Sequence, residues 1–157
     1  KKGKQSLGRG RKGISTKIHL GLSPLGVHAA CLSAGQDTDM KIFPKLWKGG
    51  DWENINYIIA DKGYDTTRVR QLIRAAGKKP VIPRRKNVII PGLLDALKPY
   101  YKTRSAIERF FSAIKENKRL TMRFDKLDTT FFSFFALACL KVLKLLCQQC
   151  HSHLIFK

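Results

Sequence analysis

The hydrophobic positions change period several times along the chain, and each change marks an element. Ile14 to Leu22 alternates apolar and polar residues, the period of a half-buried strand. Val27 to Ser33 does the same. Ser23-Pro24-Leu25-Gly26 between them is turn chemistry, so the two runs predict a hairpin. Gly35-Gln36 ends it. Asp37 then stands where a helix cap belongs, with Asp39 in the first turn of a short helix reaching about Trp47, although Pro44 interrupts its pattern. Asn56 to Ala60 is a short apolar run that reads as a buried strand, and Asp61-Lys62-Gly63 follows at once. Thr66 to Ala76 places Val69, Leu72 and Ile73 on one helical face, with Gly77 as its stop. Lys79 to Ile82 is another short strand, ended by Pro83. A basic loop, Arg84-Arg85-Lys86-Asn87, then leads into 88–92. Lys98 to about Lys118 predicts the clearest helix, and Asp128 to Gln149 a last one. The order β-β-α-β-α-β-α-α predicts an α/β fold. The organisation expected is a flexible basic segment over 1–13, one domain over 14–150 and a tail over 151–157.

Charge changes the picture most. Among 157 residues, 31 Lys and Arg face 11 Asp and Glu, a net charge of +20. Such a field attracts polyanions, and phosphate contacts would make the binding salt-dependent. Nucleic acid is the partner this predicts. With 43% hydrophobic residues the chain can bury a core and is not compositionally disordered. The most apolar run, Phe131 to Leu140, is about ten residues long, and Lys141 and Lys144 interrupt its continuation. A membrane span needs roughly 20. It therefore predicts a buried core helix and no membrane partner. Phe131, Phe132, Phe134 and Phe135 are read as core in the same way, rather than as a base-stacking platform.

Four cysteines, Cys31, Cys139, Cys147 and Cys150, with no signal-like opening segment, suit free thiols in a reducing cytoplasm. Cys147-Gln-Gln-Cys150-His151 has the form of a c-type haem attachment motif, and His153 would complete a Cys2His2-like set for zinc. The spacing and the place at a helix end favour a plain helix tail. His19 and His28 read as structural.

Candidate chemistry lies on the helix around Glu108. Tyr101, Arg104, Glu108 and Lys115 stand at offsets of 0, 3, 7 and 14. At helical pitch these fall within an arc of roughly 60°. Ile107, Phe110, Phe111 and Ile114 form the neighbouring apolar stripe, so the polar stripe should run along the edge of a cleft. Asp61 ends an apolar strand, the place where sites form in α/β sheets. Two carboxylates brought together in so basic a chain would suit Mg2+ or Mn2+, hard cations that take carboxylate, phosphate and water oxygens. Plainer readings stand beside these. Glu108 can be an ion-pair partner of Arg104 or Arg109, Asp61 a helix cap, and Asp65 the cap of the helix that begins near Thr66. Arg84, Arg85 and Lys86 suit a phosphate-contacting loop or a solvated turn.

Tyr101-x2-Arg104-x3-Glu108-x6-Lys115 resembles the signature of DDE transposases from bacterial insertion sequences. Ile59-Ala60-Asp61-Lys62-Gly63-Tyr64-Asp65 resembles the segment that bears the second catalytic Asp of that family. Leu7-Gly8-Arg9, Thr16-Lys17-Ile18-His19-Leu20, Val81-Ile82-Pro83 and Arg123-Phe124-Asp125-Lys126-Leu127 also fit. The resemblance implies an RNase H-like fold, an Asp-Asp-Glu triad holding two Mg2+ ions, cleavage of transposon ends and strand transfer into double-stranded target DNA. It makes Asp61 the second acid and Glu108 the third, with Tyr101, Arg104 and Lys115 contacting DNA phosphates or orienting the site. The first acid of the family lies on an earlier strand, and here nothing acidic precedes Asp37. Asp37 and Asp39 follow the hairpin at a helix start and do not substitute. The expectation is a chain inactive alone, either completed by an upstream transposase segment or a second chain that supplies the first Asp, or a decayed fragment, with a homodimer as an open alternative. A bacterial, nucleoid-associated location follows from the same resemblance. The competing functions are a non-enzymatic basic nucleic-acid binder and an RNase H-like nuclease without strand transfer.

Overall fold

The computed structural model of the chain describes residues 5–10, 13–85 and 92–150. The predicted hairpin forms from β2 (Gly13–Ser23) and β3 (Gly26–Ala34), antiparallel, with Ile18 opposite Leu32 and Leu20 opposite Ala30. The register shifts at Gly21/Leu22, leaving His28 as the extra residue of a bulge. Its ring turns to Ser23 and to the carbonyl of Asp51, with nitrogen–oxygen distances of 2.6 and 2.8 Å. Trp52 lies so close to Gly21 that a Cβ there would come within 2.5 Å of the indole, which is why the strand needs glycine at that point.

One face of the hairpin is apolar. Ile18, Leu20, Leu22, Ala30 and Leu32 meet Phe110 and Ile114 of α4 (Ser105–Lys115) and Phe131, Phe135, Ala138 and Val142 of α6 (Asp128–Cys150). Phe131 and Phe135 are each 2% exposed and sit at the centre of this cluster, as core rather than a stacking surface. Each such side chain contributes about 1.5–3 kcal/mol by leaving water. The other face carries Lys17, His19, Cys31 and Ser33, and α1 (Asp39–Lys48) lies against it. Buried His19 shares a 2.8 Å hydrogen bond with Ser33. Burial pushes its imidazole below the ordinary value.

A second core joins Phe43 of α1 to Val69 and Ile73 of α2 (Thr67–Ala75) and to Ile82. It backs a parallel pair, β4 (Tyr57–Ile59) and β5 (Lys79–Val81), in which Tyr57 pairs with Lys79 and Ile59 with Val81. Gly77 ends α2 with φ of 73°, as its place in the sequence predicts. The chain is thus α/β, with helices on both faces of the hairpin.

Four expectations are corrected. The basic N-terminal segment is not wholly unpacked: Gly8–Gly10 forms β1 against β2, and the Ser6 amide donates to Asp128 at 2.6 Å. Asp37 does not cap α1. The N-cap is Thr38, which makes no side-chain cap, while Asp37 pairs with Lys41. Asp65 does not cap α2, because Thr66 does, accepting from the Val69 amide at 3.3 Å. The helix expected over 98–118 is broken into α3 (Lys98–Lys102), after a 3-10 turn at Asp95–Leu97, then α4 and α5 (Lys118–Met122). At the first break the Thr103 hydroxyl bonds back to Tyr100 O at 2.7 Å, and the amides of Arg104, Ala106 and Ile107 close to carbonyls three residues back. Short polar side chains that compete for the backbone in this way tighten a helix locally. At the second break Asn117 turns extended and caps α5 through the Arg119 amide.

Candidate functional site

The structure brings three members of the Glu108 stripe together through Arg104. Arg104 Nη2 lies 2.8 Å from Glu108 Oε1, one turn apart across the start of α4. The Arg104 guanidinium also lies 5.7 Å from the centre of the Tyr101 ring. Burial pushes the Tyr101 phenol above its ordinary range. Arg104 opposes that shift, and the nearby charges of Asp61 and Glu108 add to it. One phenol therefore feels both carboxylates singled out from the sequence.

Asp61 follows β4 and caps the 3-10 turn Lys62–Tyr64, its Oδ1 accepting from the Lys62 amide at 2.6 Å. Asp61 is exposed, so the residue is open to solvent with the cap intact. Asp61 is thus a cap and a solvent-facing carboxylate at once, and the two readings do not compete.

Lys115 stands at the far end of α4, on a cleft of about 410 Å3 lined by Lys17, Ile18, His19, Leu20, Asp39, Tyr64, Ile107, Phe111 and Lys115. Four consecutive residues of β2 line this one space. Successive strand side chains point to opposite faces, so only a cleft running along the strand edge can touch all four. From Thr16 to Ser23, β2 pairs with β3 alone, and β4 pairs with β5 alone, among the described residues. The cleft therefore borders an unpaired edge of β2, with Asp39 and Tyr64 on one side and Ile107, Phe111 and Lys115 of α4 on the other.

Arg84 and Arg85 follow Pro83 on a loop fastened from below. Asp65 Oδ1 accepts from Arg70 Nε at 2.8 Å, Asp65 Oδ2 from the Arg85 amide at 2.8 Å, and Arg70 Nη2 reaches Ile82 O at 2.7 Å. Burial raises Asp65, but the bonds from Arg70 and the Arg85 amide outweigh it and leave the carboxyl below its usual range. Arg84 pairs with Gly92 through backbone bonds, and the Arg85 side chain extends to Met40 Sδ at 3.6 Å. Lys86 lies outside the described residues. So do the side chains of Cys147 and Cys150 and the whole of His151 and His153. Cys31 and Cys139 are free thiols. Among the described residues no group of three or more His, Cys, Asp and Glu side chains is placed to hold a metal ion. Nor is any helix of them long and apolar enough to cross a membrane.

Sequence reasoning missed Lys17, Asp39 and Tyr64 as cleft residues, and the Asp65–Arg70 clamp. The alternation of β2 gave a signal for Lys17, which shares a face with His19. For the clamp no local signal exists, since its third partner is a backbone amide 20 residues from Asp65.

These features define an α/β protein with a strongly basic surface, an outward carboxylate after a strand and a second on a flanking helix. The family described as Transposase DDE domain matches residues 1–91, more than half of the chain. A protein of Brucella ovis, described as a transposase candidate for insertion sequence element IS6501, is 33% identical over 131 residues, covering 80% of this chain and 95% of its own length. The chain belongs to the DDE transposase family of insertion sequences. No solved structure matches it.

Proposed function

We propose that this chain is the RNase H-like catalytic part of an insertion-sequence transposase, acting on transposon-end and target DNA at the bacterial nucleoid. Asp61 and Glu108 hold divalent metal, Mg2+ or Mn2+. Their exposed oxygens suit a hard cation that completes its shell with water and phosphate. When bound, such ions activate a water or a 3′ hydroxyl and stabilise the leaving oxygen of an in-line displacement. Arg104 fixes the position of Glu108, while Tyr101, Lys115, Arg84, Arg85 and Lys86 contact phosphates. Both a non-enzymatic binder and a nuclease that cuts without joining would share the charge. A binder has no use for Asp61 and Glu108, whose charges both act on Tyr101, whereas a nuclease of the same fold would use them and differs only in leaving the cut ends unjoined.

The observation that carries the reading is that edge. The slot beside Lys17 to Leu20 borders the unpaired edge of β2 between α1 and α4, where an added strand would continue the sheet. A strand entering there from an upstream transposase segment would bring the first Asp toward Asp61 and Glu108. Without it the chain carries two carboxylates and does not cleave.

The test is Mg2+-dependent cleavage and joining of DNA that carries the ends of the element. The chain alone and the chain joined to an upstream strand bearing an Asp are compared. Activity only in the joined form supports the proposal. Cleavage by the chain alone refutes its inactivity, cutting without strand transfer identifies a nuclease, and salt-sensitive binding with no chemistry in either form identifies a binder.

A further inference from the structure

The segment before β1 is tied to the start of α6 by contacts that the carboxylate site does not use. The Ser6 amide donates to Asp128 Oδ2 at 2.6 Å, and the Asp128 amide donates to Gln5 Oε1 at 2.6 Å. That amide is one of the donors a helix leaves unpaired in its first turn, so Gln5 caps α6 from 123 residues away. Arg123 closes the latch: its Nη2 pairs with Asp128 Oδ1, and its Nη1 reaches Ser6 O at 3.4 Å. The Arg123 side chain is 11% exposed, its guanidinium lies 4.8 Å from the centre of the Phe131 ring, and its backbone stands at φ of 42°. A long side chain keeps that left-handed conformation only where its surroundings hold it.

The latch decides where the chain lies before it enters β1. Gly8 of β1 stands opposite Ser15 of β2, antiparallel. Carried back along the chain, the same register would set Ser6 opposite Lys17 and Gln5 opposite Ile18, inside the slot. Instead the segment leaves the sheet at Leu7, the Thr16 hydroxyl donates to Ser6 O, and Gln5 and Ser6 turn to Asp128. The Gly35 amide donates to Ser15 O, so the backbone groups of Ser15, Lys17 and His19 face β3 and those of Thr16 and Ile18 face the open edge. Such an edge is a template for any extended segment, and the start of β1 adjoins it. We propose that Arg123 and Asp128 are positioning residues: they hold Gln5 and Ser6 on α6 and so keep the edge of β2 free for the Asp-bearing strand. The use of the edge rests on the strand proposed above to complete the site, whereas the latch stands without it.

Amide hydrogen exchange of the whole chain tests the latch. In the parent the Ile18 amide, on the open edge, exchanges fast, and the His19 amide, facing β3, exchanges slowly. Asp128→Ala frees Gln5 and Ser6, Gln5 then forms backbone bonds to Ile18, and Ile18 exchange slows by about tenfold while His19 is unchanged. Gln5→Ala leaves the Arg123–Asp128 pair whole and the residue 5 backbone able to pair. It slows Ile18 in the same direction and decides the matter where Asp128→Ala also loses its His19 protection. Fast Ile18 exchange in Gln5→Ala and in a folded Asp128→Ala overturns the latch. In the chain joined to an upstream strand bearing an Asp, that strand itself protects Ile18, and Asp128→Ala lowers Mg2+-dependent cleavage because the freed segment competes for the edge. Cleavage unchanged there, with Ile18 protected, overturns the positioning role. A joined strand that leaves Ile18 fast overturns the proposed completion of the site and leaves the latch standing.

Discussion

Asp65 and Arg70 form an almost buried ion pair, Oδ1 to Nε 2.8 Å, with side chains 9% and 10% exposed. The same carboxylate takes the Arg85 amide, and the same guanidinium takes the Ile82 carbonyl, so one pair ties α2, the end of β5 and the Arg84–Arg85 loop to the turn after Asp61. Removing one partner strands the other charge out of water. Asp65→Ala is therefore expected to cost about 3–5 kcal/mol in urea unfolding. A variant as stable as the parent would show that the pair does not hold the loop.

Acid should loosen the fold in two stages. The folded-state value of His19 is lowered by burial, so its contribution is intact above the ordinary imidazole value of 6.5 and is lost as pH falls from there through the folded value. The carboxyls of Asp65 and Asp128 are also lowered, in each case against burial. Arg70 and the Arg85 amide lower Asp65, and Arg123 and Ser6 lower Asp128. Their contribution is present above 3.8 and is lost below it. Thermal melts from pH 7.5 to 3 should fall in two steps, and His19→Asn should erase the first alone.

In the chain joined to the proposed Asp-bearing strand, Asp61→Asn and Glu108→Gln should each reduce Mg2+-dependent cleavage to background and leave DNA binding in place, because neither removes a positive charge. Cleavage assays beside gel-shift titrations check this. Retained cleavage in either variant removes that residue from the site.

Arg84→Ala and Arg85→Ala should each lower the slope of log affinity against log salt by about one, uniformly across DNA sequences. A sequence-dependent loss would mean that these side chains read bases instead of phosphates.

Phe135 is 2% exposed between the hairpin and α4. Phe135→Ala should destabilise the chain by about 3–5 kcal/mol in urea unfolding. A loss below about 1 kcal/mol would mean the site collapses around the smaller side chain.

The sequence by itself determined the hairpin, β4, α2, α6 and the apolar face of α4, because each is written in a local period or a local stop. Alternation put Ile18 and Leu20 on one face, the spacing of Val69, Leu72 and Ile73 made the face of α2, and Gly77 could end it because only a residue tolerant of positive φ fits there. The charge pattern and the motif around Glu108 were likewise legible as residue types at fixed spacings. What only the tertiary structure decided depended on partners distant in the chain. The Thr103 and Asn117 breaks arise where short polar side chains outcompete helix bonds, a contest that helical period does not register. Asp65 became a clamp instead of a cap because β5 delivered the Ile82 carbonyl and the Arg85 amide beside it. The Tyr57–Tyr100 stack and the open edge of β2 exist only because segments far apart in sequence fold to the same place, and no local spacing encodes that meeting.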